Sequence, residues 1–61
     1  MKTYSMDEVH EIVASLNHEL AAFNGYQEKV AILRSVAYEP GRAENERVRA
    51  YAAEVLTRYP L

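Results

Sequence analysis

The chain has 61 residues, no cysteine and a formal net charge of −2. The lack of thiols excludes disulfides and thiolate metal sites, and so small a charge does not predict a phosphate-binding surface. We expect one domain, residues 1–61, with a free energy of unfolding of about 3 to 9 kcal/mol, from roughly 0.05 to 0.15 kcal/mol per residue. A core this small gains much from a second subunit.

Helix 1 is predicted over residues 6–23, where an apolar ladder repeats with alternating steps of three and four residues. This spacing is typical of a helix with a narrow seam that lies along another helix. The ladder consists of Met6, Val9, Val13, Leu16, Leu20 and Phe23. Ser5 and Glu8 fit a capping box, which places the helix start at Met6. Asn24 and Gly25 are expected to end the helix or cap the next one.

Helix 2 is predicted over residues 26–38, because its apolar side chains recur at helical spacing. The apolar face of this helix consists of a main stripe, Tyr26, Val30, Leu33 and Ala37, and of two residues beside it, Ile32 and Val36. The face is wider than contact with one neighbour needs, so we expect helix 2 to touch both other helices. The Glu39-Pro40-Gly41 segment should end it, since proline disfavours a helical conformation in the residue before it.

Helix 3 is predicted over residues 43–59, before Pro60, from a clean amphipathic pattern. Its apolar face consists of Val48, Tyr51, Ala52, Val55, Leu56 and Tyr59. Charged side chains lie opposite, and their spacing predicts pairs between Glu44 and Arg47, Glu46 and Arg49, and Glu54 and Arg58. The fold class is therefore all-α, a compact three-helix domain. The helix 1 seam either packs on helices 2 and 3 within a monomer or pairs with a second copy in a helical homodimer, and we favour the dimer.

Catalytic and metal-binding signatures are weak in this sequence. His10-Glu11 begins like the zinc-protease motif H-E-x-x-H, but position 14 is Ala. No nucleophile motif or phosphate-cradling glycine loop is present. We therefore expect no enzyme activity, cofactor, metal or small-molecule substrate. Acidic residues throughout 6–23 exclude a signal-peptide core and a membrane span there, so we expect a cytoplasmic protein.

Four residues are candidates for an interface with a second copy or with another protein. His10 lies beside the helix 1 seam, Ile12 flanks it and Leu16 lies within it. Tyr38 projects away from the apolar stripe of helix 2, and tyrosine is common at interfaces. The predicted function is a small, non-catalytic, self-associating interaction module with an accessory or regulatory role.

Two alternatives remain open. Helices 2 and 3 resemble a degenerate helix-turn-helix, in which Arg34, Arg42, Arg47 and Arg49 would contact nucleic acid. Against this, position 47 is Arg where an aliphatic residue is usual, and Glu44 and Glu46 interleave with the arginines. In the second alternative, the chain is a phage- or mobile-element-encoded accessory protein that binds a host protein.

Overall fold

The computed structural model of the protein describes residues 2–19 and 25–59, and these ranges form three α-helices. The helices are α1 (Met6–Glu19), α2 (Tyr26–Tyr38) and α3 (Glu46–Leu56). The predicted all-α, three-helix architecture is confirmed. Predictions for Leu20, Phe23 and Asn24 lie outside the described residues. Over those same ranges, no helix combines the length and the apolar character needed to cross a bilayer.

The start of α1 is fixed by the predicted capping box. The Ser5 N–H donates to Glu8 Oε1 at 3.2 Å, and the Glu8 N–H donates to Ser5 Oγ at 3.2 Å. Two backbone donors that have no partner within the helix are thereby satisfied. Asp7 and Glu8 also place negative charge at the positive end of the helix dipole. The prediction of a helix start at Met6 is confirmed.

The core is built from one face of each helix. Its fully buried side chains include Val9, Leu16, Val30, Leu33, Val36, Val48, Ala52 and Val55. α3 packs chiefly against α2, and α1 contacts both. Of the described residues of the helix 1 seam, Val9 and Leu16 are therefore core side chains within one chain, whereas Met6 and Val13 are partly exposed.

Both ends of α2 agree with the prediction. Gly25 precedes the helix with φ of 78°, a left-handed conformation that favours glycine. Glu39 ends it in an extended conformation, φ −91° and ψ 133°, as expected for a residue before proline. The Glu39 N–H still donates to the Ser35 carbonyl at 2.8 Å. Gly25 and Pro40 thus mark the two ends of α2.

The predicted start of helix 3 at residue 43 is wrong, because residues 42–44 pair with the N-terminal segment instead. The Tyr4 N–H donates to the Arg42 carbonyl at 2.8 Å, and the Glu44 N–H donates to the Tyr4 carbonyl at 3.0 Å. These bonds make a parallel bridge between Tyr4 and Ala43. α3 then begins after Asn45, whose side-chain oxygen accepts from the Val48 N–H at 3.1 Å.

The predicted end of helix 3 at residue 59 is also wrong. α3 ends at Leu56, and the Thr57 hydroxyl donates to the Glu54 carbonyl at 2.7 Å. Tyr59 lies beyond the end of α3 but still contacts the rest of the fold, as its place in the apolar pattern of residues 43–59 predicted. It packs against the core, and its hydroxyl donates to the Asn17 amide oxygen of α1.

Candidate functional site

An open groove of about 270 Å³ runs along α1, between the N-terminal segment and the first turn of α2. Its walls carry Lys2, Tyr4, Glu8, Glu11, Ile12, Ser15 and Lys29. The four residues from α1 are spaced i, i+3, i+4 and i+7, so they share one helical face. We call this depression the α1 groove. Glu8 belongs both to the capping box and to the groove lining, so the hydrogen bond from the Ser5 N–H fixes the position of its carboxylate in the groove.

An ion pair lies at each end of the α1 groove. Lys2 Nζ is 2.9 Å from Glu8 Oε2, and Lys29 Nζ is 2.7 Å from Glu19 Oε1. The hydrogen bond from Lys2, helped by the Ser5 N–H, holds the pKa of Glu8 below its ordinary value of 4.5. The same bond raises the pKa of Lys2 above 10.5. Each lysine of the groove is thus balanced by its own glutamate.

Two cations lie close to the ring of Tyr4. Lys2 Nζ is 5.1 Å from the ring centroid, and the guanidinium carbon of Arg42 is 5.7 Å from it. Both distances are within the range of cation–π attraction. Together with the backbone bridge to Ala43, these contacts hold the N-terminal segment as one wall of the α1 groove.

Glu11 is the carboxylate of the groove lining that takes part in no ion pair within the described residues. Within 2–19 and 25–59, the carboxylates outside any ion pair are those of Asp7, Glu11, Glu28 and Glu44. Of these four, Glu11 alone lines the α1 groove. Because Lys2 and Lys29 are already paired, the charge of Glu11 has no counterpart at this site.

The four predicted interface residues do not form one surface. Ile12 is half-buried and lines the α1 groove. His10 is exposed on another side of α1, where its ring meets Tyr51 of α3 at 4.7 Å between centroids and an interplanar angle of 78°. Tyr38 is 68% exposed at the end of α2 and is not a groove residue. Leu16, the fourth predicted interface residue, is instead fully buried within the single chain, so it stabilises the core and offers no surface to a partner.

The four arginines that were predicted to contact nucleic acid also differ from one another, because two are in ion pairs and two are not within the described residues. Arg42 lies between α2 and α3, where it pairs with Glu39 at 3.4 Å. Arg49 pairs with Glu46 at 3.6 Å, as predicted. Arg34 and Arg47 have no ion pair in the part of the chain that the structure describes.

The connection between α2 and α3 also differs from a helix-turn-helix. It spans residues 39–45, which is longer than the turn of about three or four residues in that motif. The predicted resemblance assumed that helix 3 began at residue 43. With the start at Glu46, the spacing between the two helices no longer follows the motif.

Sequence reasoning missed most of the α1 groove. Glu8, Glu11 and Ser15 flank the apolar ladder at helical spacing, so their shared face could have been read from the sequence. The contribution of Lys2 and Tyr4 could not, because it depends on the bridge between Tyr4 and Ala43.

The polar groups that line the α1 groove are two ammonium groups, two carboxylates, a phenol and a hydroxyl. No group of three His, Cys, Asp or Glu residues that could hold a metal ion occurs within the described ranges. Comparison of the chain with protein-family models, with curated proteins and with solved structures finds no match.

Proposed function

We propose that this chain is a non-catalytic helical interaction module that associates with itself. The observation that supports this most is Tyr38, which at 68% exposure is the one large apolar side chain left open in the described part of the protein. Tyrosine has an apolar body and a polar tip, and it is enriched at interfaces and among their energetic anchors. It lies on the last turn of a helix, so its position is fixed by the fold.

Tyr38 belongs to an exposed row on α2. Gln27, Ala31, Arg34 and Tyr38 are all exposed, and their spacing of i, i+4, i+7 and i+11 places them on one face. We call this row the α2 stripe. Arg34 stands one helical turn before Tyr38, and arginine, like tyrosine, is enriched among the residues that anchor interfaces.

Self-association is supported by the size of the protein and by its uneven charge. A core of this size, with neither disulfide nor thiolate metal site, gains stability when a second chain covers part of its surface. Residues 1–30 hold two lysines and five acidic residues, whereas residues 31–61 hold five arginines and four acidic residues. Two copies can therefore place unlike charges opposite each other.

Sedimentation equilibrium over about a hundredfold range of concentration tests this function, because association follows mass action. We expect the average mass to rise with concentration. Tyr38→Ser should weaken the association, and Tyr38→Phe should preserve it, since only the first substitution removes the ring. A monomer at every concentration would overturn the proposal.

Binding of nucleic acid is the competing outcome. It would appear as an anisotropy change of labelled DNA or RNA that disappears as salt is raised. In that case Arg34→Ala and Arg47→Ala should both weaken binding, because these are the arginines whose charges are not already paired.

A further inference from the structure

We propose that the α1 groove is the receptor for the α2 stripe of a second copy, with Arg34 of one copy paired to Glu11 of the other. This inference rests on the proposed self-association and specifies its contact surfaces.

Charge complementarity selects the occupant. Five of the seven cationic side chains are already in ion pairs within the described structure. Arg34 and Arg47 remain, and Arg34 stands one helical turn before the exposed Tyr38 on α2. On the groove side, Glu11 is the one charged lining residue that has no ion pair within the described structure. An Arg34–Glu11 contact therefore satisfies both surfaces without breaking an existing pair.

The spacing of the two surfaces also matches. Arg34 and Tyr38 are one helical turn apart on α2, as are Glu11 and Ser15 on α1. When Arg34 meets Glu11, the ring of Tyr38 lies one turn away along the groove. There it lies against Ser15 and borders the half-buried side chain of Ile12, the apolar residue of the α1 wall between Glu11 and Ser15.

The contact follows a recurrent mode of recognition. An exposed helical row supplies an aromatic anchor and an arginine, and a groove along another helix receives them. The flanking pairs, Lys2 with Glu8 and Lys29 with Glu19, keep the groove walls charged and so resist an apolar partner.

Charge reversal and its rescue test the proposal. Glu11→Arg and Arg34→Glu each place like charges opposite each other, so each should raise the dissociation constant of self-association by about tenfold or more. In an equimolar mixture, each contact between a Glu11→Arg copy and an Arg34→Glu copy again brings unlike charges together. We expect this mixture to associate with nearly the affinity of the natural chain, as measured by sedimentation equilibrium.

Matched controls use Glu28→Arg and Arg47→Glu, which reverse an exposed, unpaired charge outside the two surfaces. Both controls should associate like the natural chain, and circular dichroism should show that all four variants are folded.

Each other result decides against the proposal. Association that is unaffected by Glu11→Arg and Arg34→Glu, weakened equally by the controls, or not restored in the mixture would overturn the paired surfaces while self-association stands. A natural chain that is monomeric throughout would overturn both the surfaces and the proposed function.

Discussion

Lys29 and Glu19 connect the end of α1 to the first turn of α2. The Lys29 ammonium donates to Glu19 Oε1 at 2.7 Å, and each side chain is only about a quarter exposed. The second carboxylate oxygen, Oε2, is buried, has no hydrogen-bond partner among the residues that the structure describes, and lies against Gly25. The ion pair and the glycine therefore share one confined corner of the fold.

Gly25→Ala should destabilise the protein more than Gly41→Ala. Both glycines have positive φ, 78° and 77°, in which an L side chain costs about 1 to 2 kcal/mol. At Gly25 the added Cβ would also stand 2.8 Å from Glu19 Oε2, so the carboxylate must move. Urea unfolding of the two variants measures the difference. Equal losses would show that Glu19 moves away at no cost.

Asn45→Ala tests the observed start of α3 through the sign of its effect. As the N-cap, Asn45 accepts from the Val48 N–H, and its removal should cost about 1 kcal/mol. Were Asn45 inside a helix beginning at residue 43, alanine would be the better helix former and would stabilise the protein. Thermal unfolding distinguishes the two signs, and Asn45→Asp, which keeps the cap acceptor, serves as the control.

Leu16→Ala should remove a large part of the total stability. The side chain is fully buried within one chain, and such truncations cost about 2 to 5 kcal/mol. We expect this loss even at concentrations where the protein is monomeric, whereas Leu16→Met should cost less than about 1.5 kcal/mol. Denaturant unfolding at several concentrations checks it. A loss seen only at high concentration would return Leu16 to the interface.

The stability of the protein should fall in acid partly through Glu8. Its pKa is lowered in the folded state by Lys2 and by the Ser5 N–H. The ionised carboxylate therefore stabilises the fold fully above its ordinary pKa of 4.5, and this contribution is lost as the pH falls through the lowered value. Carboxyl NMR should show Glu8 titrating at higher pH in Lys2→Met. An unchanged titration would mean that the Ser5 N–H alone lowers the pKa.

Much of the fold could be predicted because its signals are local. Ser5 and Glu8 mark the start of α1 within four residues of each other, and Gly25 and Pro40 delimit α2. The apolar spacing of each helix then identified the core face. The start of α3 was missed because residues 42–44 make backbone hydrogen bonds with Tyr4, which is distant in sequence. Asn45 was nevertheless a readable cap signal.

The candidate site was less predictable, since it combines three separate segments. Ile12 and Tyr38 are both candidate interface residues from the sequence, but helical spacing does not show that one lines a groove and the other lies on a separate exposed row. The pairing of Lys2 with Glu8 and of Lys29 with Glu19 leaves Glu11 unbalanced. That result depends on tertiary distances, which helical periodicity does not supply.

The bridge between Tyr4 and Ala43 provides a direct report on how the helices come apart. The amide protons of Tyr4 and Glu44 are held by hydrogen bonds between distant segments and not by a helix. They become free to exchange with deuterium when the N-terminal segment leaves residues 42–44, even if α1 itself stays helical. Hydrogen exchange at these two amides therefore separates the undocking of the N-terminal segment from the fraying of helix ends.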